Sequence, residues 1–425
     1  MKDKKEKVKK TGKQKFKTFL KVLGIIVIVI AVIVAVIALL NALGNRSNKN
    51  FVKEIPAVAY ENQLVPAVAD DGYYSFETDR DLRVMQLTDI HIGGGILSAK
   101  KDNLAINAVS AMVAAEKPDL VVVTGDIAYP VPFQSLTFNN KTGAVIFAEL
   151  MEQLGVYWAP VFGNHDTEAY SFYSREQIYN LYTSGKYPHC LMQAGPEDVS
   201  GVGNYVVNVR KPGGEITESL FMLDSHSYTD NDYFGILWKY DTFHEDQVKW
   251  YEDTVKALAE ENGGTAPKSL AFFHIPIPEF KEAYDKWAEN GFKDTDDVKY
   301  VCGDAGEHKT VVYASEHNYG FFDKVKELGS TQALFCGHDH LNNFALDYKG
   351  IRMAYSYSVD YLAYVGIMKY GVQRGCTMID VKTDGSYEAT LENYYQDKYA
   401  PVKAKEPVLM EQLNEDPAFV EPVGA

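Results

Sequence analysis

Five short segments of the chain place residues that bind metals or move protons directly after apolar runs. They read Asp89-Ile90-His91, Gly125-Asp126, Gly163-Asn164-His165-Asp166, Phe273-His274 and Gly337-His338-Asp339-His340. Carboxylate, amide and imidazole groups bind divalent cations, and imidazole also transfers protons near neutral pH. Taken singly, each segment is compatible with a surface turn or a buried structural histidine. Together, each at the predicted end of a strand, they indicate one metal site.

The apolar runs before these segments predict buried strands, and helical patterns lie between the first three of them. Strands are predicted at 82–87, 120–123 and 156–162, with helices at 98–116 and about 142–154 between them. This α/β alternation predicts right-handed parallel crossovers with both faces of the sheet covered. Ligands then bind at the carboxyl ends of the strands, where the metal-binding residue types lie.

The second half of the chain predicts further strands and helices, and two long loops. Strands are predicted near 204–209, 219–223, 269–273, 332–336, 351–355 and 376–381, and helices at 244–262 and 316–328. Residues 225–243 and 280–315 are rich in aromatic residues and Asp and carry little periodicity, so we expect loops over the site. Since one site must gather segments from Asp89 to His340, we expect one large catalytic domain at 76–399.

The N-terminal region predicts a membrane anchor. Residues 1–21 form a basic tail with ten Lys, and residues 22–41 form an uncharged apolar stretch close to the roughly 20 residues that span a bilayer. A cleaved signal peptide is the alternative, although its apolar region would be unusually long. The Lys cluster predicts a single pass through the plasma membrane with the catalytic domain outside the cytoplasm. Residues 42–75 are then a stalk, and residues 400–425 a C-terminal tail.

Charge and cysteine usage limit the partners of this chain. The net charge is −16, and subtracting the +8 of the first 21 residues leaves −24 for the remainder. We expect no nucleic-acid partner, because phosphate backbones attract Lys and Arg. Cys190, Cys302, Cys336 and Cys376 have no C-x-x-C spacing, so disulfides outside the cytoplasm are possible and three pairings stay open. Cys336 ends an apolar strand and is predicted to be a buried thiol.

The five segments resemble the signature of the calcineurin-like metallophosphoesterase superfamily, which runs D-x-H, G-D, G-N-H-(D/E), H and G-H-x-H. The resemblance covers about residues 82–385, and residues 272–279 and 318–322 make it closest to the purple-acid-phosphatase-like branch. It implies a four-layer α/β/β/α sandwich, preceded here by the N-terminal transmembrane helix. It also implies a phosphatase or phosphodiesterase that hydrolyses phosphate esters by attack of a hydroxide bridging two metals.

Carried over residue by residue, the resemblance implies two metal ions, divalent or of mixed valence and drawn from Fe, Mn and Zn. The first ion would take Asp89, His91, Asp126 and His340, and the second would take Asp126, Asn164, His274 and His338. His165 would act as the acid that protonates the leaving group. Asp166 and Asp339 are both candidates for the carboxylate that holds this imidazole.

One position departs from the pattern of true purple acid phosphatases. Their motifs read D-x-G and G-D-x-x-Y, and the Tyr binds ferric iron. This chain has His91 in place of that Gly but retains Tyr129. Because His91 fills the coordination position, we predict that Tyr129 packs near the metals without binding one.

Two alternatives to a membrane-anchored phosphoesterase follow from the same residues. A non-catalytic metal- or phosphate-binding surface protein could share this fold, but it could lose ligands or the acid without penalty. Here every ligand position and His165 are filled, which favours the enzyme. A nuclease would need a basic groove, and the acidic body disfavours it. The pattern is compatible with monoester and diester substrates.

Overall fold

The computed structural model describes residues 11–307, 310–364 and 374–406, which form two β-sheets with helices on their outer faces. The helices are α1 Gly12–Glu54, α2 Ala99–Glu116, α3 Pro132–Ser135, α4 Asn140–Leu154, α5 Arg175–Tyr182, α6 Glu245–Glu261, α7 Pro278–Glu289 and α8 Phe321–Leu328. The strands are β1 Ala67–Val68, β2 Tyr74–Glu77, β3 Leu82–Leu87, β4 Leu120–Thr124, β5 Tyr157–Val161, β6 Tyr205–Arg210, β7 Ile216–Met222, β8 Lys268–Phe272, β9 Val298–Cys302, β10 Thr331–Cys336, β11 Ala345–Tyr348, β12 Ile351–Tyr355, β13 Gly375–Val381 and β14 Tyr387–Asn393.

The two sheets are mixed, and each has a parallel centre. The smaller sheet has the order β14-β13-β3-β4-β5, in which β3, β4 and β5 are parallel and α2 and α4 connect them. The larger sheet has the order β1-β2-β6-β7-β8-β10-β12-β11-β9, in which β7, β8, β10 and β12 are parallel. The alternation predicted for the first three strands is therefore confirmed, and each sheet presents the carboxyl ends of several strands at one edge.

Side-chain alternation along the larger sheet divides the core in two. Leu270 and Phe272 of β8 belong to the core between the sheets, which continues to α1, α2 and α4. Ala271 and the following Phe273 belong to a second core formed with α6, α7 and α8. Successive residues of a strand point to opposite faces, so β8 is covered on both sides. The predicted four-layer α/β/β/α sandwich is confirmed.

Helix α1 is longer than the predicted apolar span and ends inside the domain. It is long and apolar enough to cross a membrane, and the share of its most apolar stretch that is buried is 0%. Gly44, Asn48, Phe51 and Val52 are buried on one face of its last turns, which pack against α2 and α4. The structure thus corrects the predicted stalk at 42–75, because its first part continues the helix. These buried positions recur every three or four residues, a helical period that the intervening polar residues obscure.

The loop predicted at 280–315 is also corrected, because it contains α7 and β9. Phe280, Ala283, Tyr284 and Trp287 are buried at helical spacing along α7, whose first residue is Pro278. Proline is favoured at this position because its missing N–H has no partner in the first turn. The helical spacing was therefore present in the sequence, but the high Asp and aromatic content of the flanking residues concealed it.

Two smaller expectations have clear outcomes. Of the helix predicted at 316–328, only the last eight residues, Phe321–Leu328, are helical. Gly320, with a left-handed φ of 80°, precedes the first residue of α8. The four cysteines are free thiols, and Cys336 is buried as predicted. The proposed tails at 1–21 and 400–425 lie partly outside the described residues.

Candidate metal centre

The metal-type residues follow the parallel strands of both sheets. Each lies within five residues of a strand's carboxyl end: Asp89 and His91 after β3, Asp126 after β4, Asn164 after β5, His274 after β8, and His338 and His340 after β10. The residues from the smaller sheet meet those from the larger sheet across the core. We call this edge of the sandwich the site edge.

The turns that present these residues have left-handed backbone conformations. The φ values of Asp89, His91 and Asp126 are 51°, 54° and 55°. Such conformations cost roughly 1–3 kcal/mol each for residues with a side chain, and they cluster at functional sites. Two glycines allow the turns to approach closely. A Cβ added to Gly163 would lie 2.1 Å from Asp126 Oδ1, and one added to Gly337 would lie 1.9 Å from the hydroxyl oxygen of Thr88.

Asp89, His91, Asp126 and His340 form a buried cluster in which one ligand atom of each lies within 4.8 Å of the others. His91 Nε2 is 3.2 Å from Asp126 Oδ2, and His340 Nε2 is 3.4 Å from Asp89 Oδ1. Asp89 Oδ1 is buried without a hydrogen-bond partner among the described residues. A buried carboxylate oxygen without a donor is costly. A divalent cation among these four side chains would satisfy it, so the donor set fits a metal.

Asp126 connects this cluster to a second group of predicted ligands. Its Oδ2 is also 3.2 Å from Nε2 of His274, and that nitrogen is 3.1 Å from Oδ1 of Asn164. Nδ1 of His274 donates to the Thr124 carbonyl oxygen at 2.8 Å, which directs Nε2 toward the site. The ring of His338 lies 5.2 Å from that of His274. One carboxylate oxygen therefore lies between two imidazoles, the arrangement expected of a bridging ligand.

Asp360, which follows β12, contacts two of the predicted ligands from behind. Its Oδ1 is 3.1 Å from Nδ1 of His91, and its Oδ2 is 3.5 Å from Nδ1 of His340. Three successive backbone amides, of residues 362–364, donate to its carboxylate. Metal-binding histidines commonly use their other nitrogen in this way, which fixes the ring orientation. Asp360 was not predicted from the sequence, where its only signal was its place shortly after a predicted strand.

The buried carboxylates and several of the imidazoles shift one another's pKa values toward the charged forms. Burial raises the pKa of Asp126, but the neighbouring His274 outweighs it and holds that pKa well below its ordinary value. Conversely, burial lowers the pKa of His274, yet Asp126 raises it to about 9. Burial also opposes ionisation of Asp360, and His91 overcomes it to lower that pKa strongly. Metal binding would release these imidazole protons, since only neutral imidazole is a ligand.

Glu168, and neither of the two predicted carboxylates, holds His165. Nδ1 of His165 is 2.6 Å from Glu168 Oε1, because the 3₁₀ turn His165–Thr167 brings residues three apart together. Asp166 instead accepts three backbone N–H groups, those of Asp126, Ala128 and Gly163. The carboxylate of Asp339 accepts the Tyr355 hydroxyl at 2.6 Å. Both predicted partners are therefore wrong, since each is already engaged elsewhere.

Tyr228 connects the His165–Glu168 pair to the predicted ligand Asn164 by hydrogen bonds. Its hydroxyl donates to Glu168 Oε1 at 3.2 Å and accepts from Nδ2 of Asn164 at 2.9 Å. The amide of Asn164 is thereby oriented with its oxygen toward His274. A cavity of about 770 Å³ opens beside this network and is lined by Glu168, Phe172 and Tyr228 among others. The cavity offers space beside Glu168, the residue that holds His165.

Tyr129 packs between two imidazoles. Its ring centre is 4.6 Å from that of His91 and 4.8 Å from that of His165. Burial raises the pKa of its hydroxyl strongly, so the side chain remains a neutral phenol without a bound cation. This packing is consistent with the prediction that Tyr129 supports the site without binding a metal, which stays a prediction.

The chain is similar to several known proteins. A family model described as calcineurin-like phosphoesterase matches residues 82–342. The chain is 32% identical over 317 residues to the probable inactive purple acid phosphatase 14 of Arabidopsis thaliana, covering 68% of this chain and 73% of that protein. It is 31% identical over 294 residues to the phosphatase DCR2 of Saccharomyces cerevisiae, covering 64% and 46%. A dimetal phosphatase structure from Danio rerio aligns with a TM-score of 0.45 and 12% identity, covering 73% and 99%.

The family match takes in every residue of the proposed site except Asp360. It covers more than half of the chain, and its first residue is the first residue of β3. The similarity to the plant protein spans most of both chains and supports the purple-acid-phosphatase-like resemblance. This chain belongs to the calcineurin-like phosphoesterase family.

Proposed function

We propose that this protein is a metal-dependent phosphoesterase with two metal ions. The observation that carries the proposal is the position of Asp126 Oδ2, which lies 3.2 Å from Nε2 of both His91 and His274. The first ion would be held by Asp89, His91, Asp126 and His340, and the second by Asp126, Asn164, His274 and His338. Nitrogen and oxygen donors of this kind suit Fe, Mn and Zn. When bound, two such ions supply Lewis-acid polarisation of a phosphoryl group and lower the pKa of water.

The charge of the ligand set favours a phosphate ester as substrate. Two divalent ions bring four positive charges, against the carboxylates of Asp89 and Asp126. Counting the bridging hydroxide as well, four positive charges against three negative ones leave a net positive charge on the metals and their ligands. A bound cation is the largest local charge of such a site, so it attracts phosphate despite the acidic surroundings.

His165 is the group we assign to proton transfer. Glu168 fixes its Nδ1, so the other ring nitrogen is available to face the leaving oxygen of a substrate. Protonating that oxygen is worth about 10²–10⁴-fold in rate when the alcohol is a poor leaving group. Tyr129 packs against the ring and limits its rotation.

A non-catalytic metal- or phosphate-binding protein is the second candidate, and the names of some relatives favour it. The plant proteins matched here are called probable inactive purple acid phosphatases. Against it stands the complete set of metal-type residues together with the His165–Glu168 pair. A binding protein needs the ligands but has no use for a held proton donor beside them.

For topology, we propose a plasma-membrane protein with a single pass and its catalytic domain outside the cytoplasm. The support is the uncovered apolar part of α1 and the Lys-rich residues that precede it. The partners are then a phosphate ester and the membrane, and we expect no nucleic acid.

A substrate screen tests the proposed activity. The purified full chain, loaded in turn with Mn²⁺, Zn²⁺ and Fe²⁺, should release phosphate or alcohol from aryl phosphate monoesters or diesters. Chelation should abolish the release, and the matching metal should restore it. Tight metal binding without any turnover across both ester classes would favour the binding protein instead.

A further inference from the structure

Asn41 of α1 forms hydrogen bonds with the domain at the site edge. Nδ2 of Asn41 donates to the Leu136 carbonyl oxygen at 2.8 Å, and its Oδ1 accepts from the Ile96 amide at 3.0 Å. Ile96 and Leu136 lie three and four residues before the first residues of α2 and α4, the helices that follow the site-edge ends of β3 and β4. Gly44 lies so close that an added Cβ would be 2.9 Å from Ile96 Cα. The helix is therefore fixed to the domain at the site edge.

The end of α1 lies at the opposite edge of the sandwich. Nε2 of Gln153 donates to the Ile55 carbonyl oxygen at 2.7 Å, and the Val58 amide donates to the Leu154 carbonyl oxygen at 3.0 Å. Gln153 and Leu154 form the C-terminal end of α4, away from the site. Two fixed points thus give the direction of the helix. Its apolar part, which precedes Asn41, extends away from the domain beyond the site edge.

Large apolar side chains are exposed at this same edge. Phe133 is 94% exposed and Leu97 57%, and these residues lie three and one positions from the two contacts of Asn41. Phe172, which is 65% exposed, packs near Phe138 with ring centres 6.1 Å apart. Soluble proteins expose single apolar residues routinely, but contiguous apolar patches mark interaction sites.

A second apolar stretch follows the site-edge end of β7. Its five large apolar residues, Tyr233, Phe234, Ile236, Leu237 and Trp238, are between 57% and 73% exposed. The ring of Trp238 lies 6.0 Å from that of Tyr313, and Tyr240 nearby packs 4.3 Å from the predicted ligand His338. Apolar side chains therefore stand on both sides of the metal centre.

We propose that the site edge rests on the bilayer that α1 spans, and that the centre acts on a phosphate ester whose apolar part lies in that bilayer. The contact surface consists of Leu97, Phe133, Phe138, Phe172 and residues 233–238, which we call the apolar rim. The substrate class rests on the proposed phosphoesterase activity, whereas the membrane contact rests only on the direction of α1 and on these side chains. Aromatic and aliphatic side chains of this kind bury favourably at the headgroup boundary.

The rim is directly connected to the site. Phe133 belongs to α3, four residues after Tyr129, whose ring packs on His91 and His165. Nε2 of Gln134 donates at 3.1 Å to the carbonyl oxygen of Leu362, two residues after Asp360. A headgroup phosphate at the membrane surface would thus reach the centre without leaving the lipid.

Membrane contact is tested by quenching a probe at the rim. In the full chain reconstituted into liposomes, Phe133→Cys carries an environment-sensitive fluorophore, and doxyl-labelled phospholipid is the quencher. The matched control is Asp384→Cys, in the turn after β13, because β13 runs antiparallel to β3 and its end lies opposite the site edge. We expect quenching several-fold stronger at 133 than at 384. Equal quenching at the two positions would overturn the membrane contact.

Substrate class is tested with Leu97→Ser/Phe133→Ser, since neither residue belongs to the catalytic machinery. On a phosphatidic acid vesicle substrate, we expect kcat/KM to fall about tenfold, whereas hydrolysis of a water-soluble aryl phosphate stays unchanged. Equal rates of the variant and the unsubstituted chain on vesicles would overturn the proposed substrate class. Absence of turnover by the unsubstituted chain on both substrates would contradict the proposed activity, and the quenching result would still decide the membrane contact.

Discussion

The imidazole of His165 is held through one nitrogen by Glu168 and remains 24% exposed, so part of the ring is accessible from solvent. The sequence placed His165 beside the ligands but suggested the wrong carboxylates. Asp166 was a candidate because it directly follows His165 in the Gly163–Asp166 motif. The true partner depends on a 3₁₀ turn, whose formation was not evident from residue types alone.

His165→Gln should separate substrates by their leaving groups. We expect about a 10²–10⁴-fold loss on alkyl phosphates, which need a proton on the departing oxygen, and a much smaller loss on aryl phosphates. Metal content should stay unchanged, because the glutamine leaves all seven proposed ligands in place. The measurement is kcat on both ester types together with elemental analysis. Equal losses on both types with metals intact would argue against the acid role, and a lost metal would make His165 a ligand.

Asp360→Asn should weaken metal binding without removing a ligand. The two oxygens of the Asp360 carboxylate lie 3.1 Å from Nδ1 of His91 and 3.5 Å from Nδ1 of His340, whereas an amide presents one oxygen and one NH₂ group, so one imidazole loses its carboxylate neighbour. We expect metal affinity to fall about 10–100-fold, measured by competition with a chelator. Asp380→Asn, which alters a half-exposed ion pair with Arg83, is the matched control. Unchanged affinity in Asp360→Asn would show that this carboxylate does not orient the ligands.

The ligand motifs were predictable because each is contiguous and follows an apolar run. Asp360 and Glu168 were not predictable, since folding brings them to the residues they hold and no sequence motif includes both partners.

At the scale of elements, strand and helix alternation between β3 and β5 was evident from periodicity. The docking of α1 was not, because the buried face from Asn41 to Ile55 carries Gly and Asn alongside its apolar residues. The burial of these Gly and Asn residues can be explained only from the atoms that they contact in the folded domain. Asn48, for example, donates to the Ala99 carbonyl oxygen at 2.8 Å and to Asn103 at 2.9 Å.

Helix α1 also carries the prediction about topology. Protease added to intact spheroplasts should digest the catalytic domain, because the Lys-rich residues 1–21 keep the N-terminus in the cytoplasm. A tag fused before residue 1 should remain protected until lysis, and detection of both ends gives the control. Protection of the domain with digestion of the tag would reverse the orientation, and release of the whole chain without detergent would refute the anchor.

At the scale of the whole molecule, two sheets bring ligands from strands far apart in sequence to one edge. The four-layer sandwich was available from the family resemblance, whereas the periodicity showed only the α/β alternation. No sequence motif predicts the orientation of α1 relative to the site edge. It follows from hydrogen bonds at both ends of the docked segment.

The central claim, a two-metal centre bridged by Asp126, is tested most directly by the metal content of Asp126→Ala. Both proposed ions depend on this carboxylate, so the variant should lose both, together with phosphate ester hydrolysis. The unsubstituted chain should hold about two ions after dialysis against the matching metal and gel filtration. Full occupancy by two ions in Asp126→Ala would contradict the account.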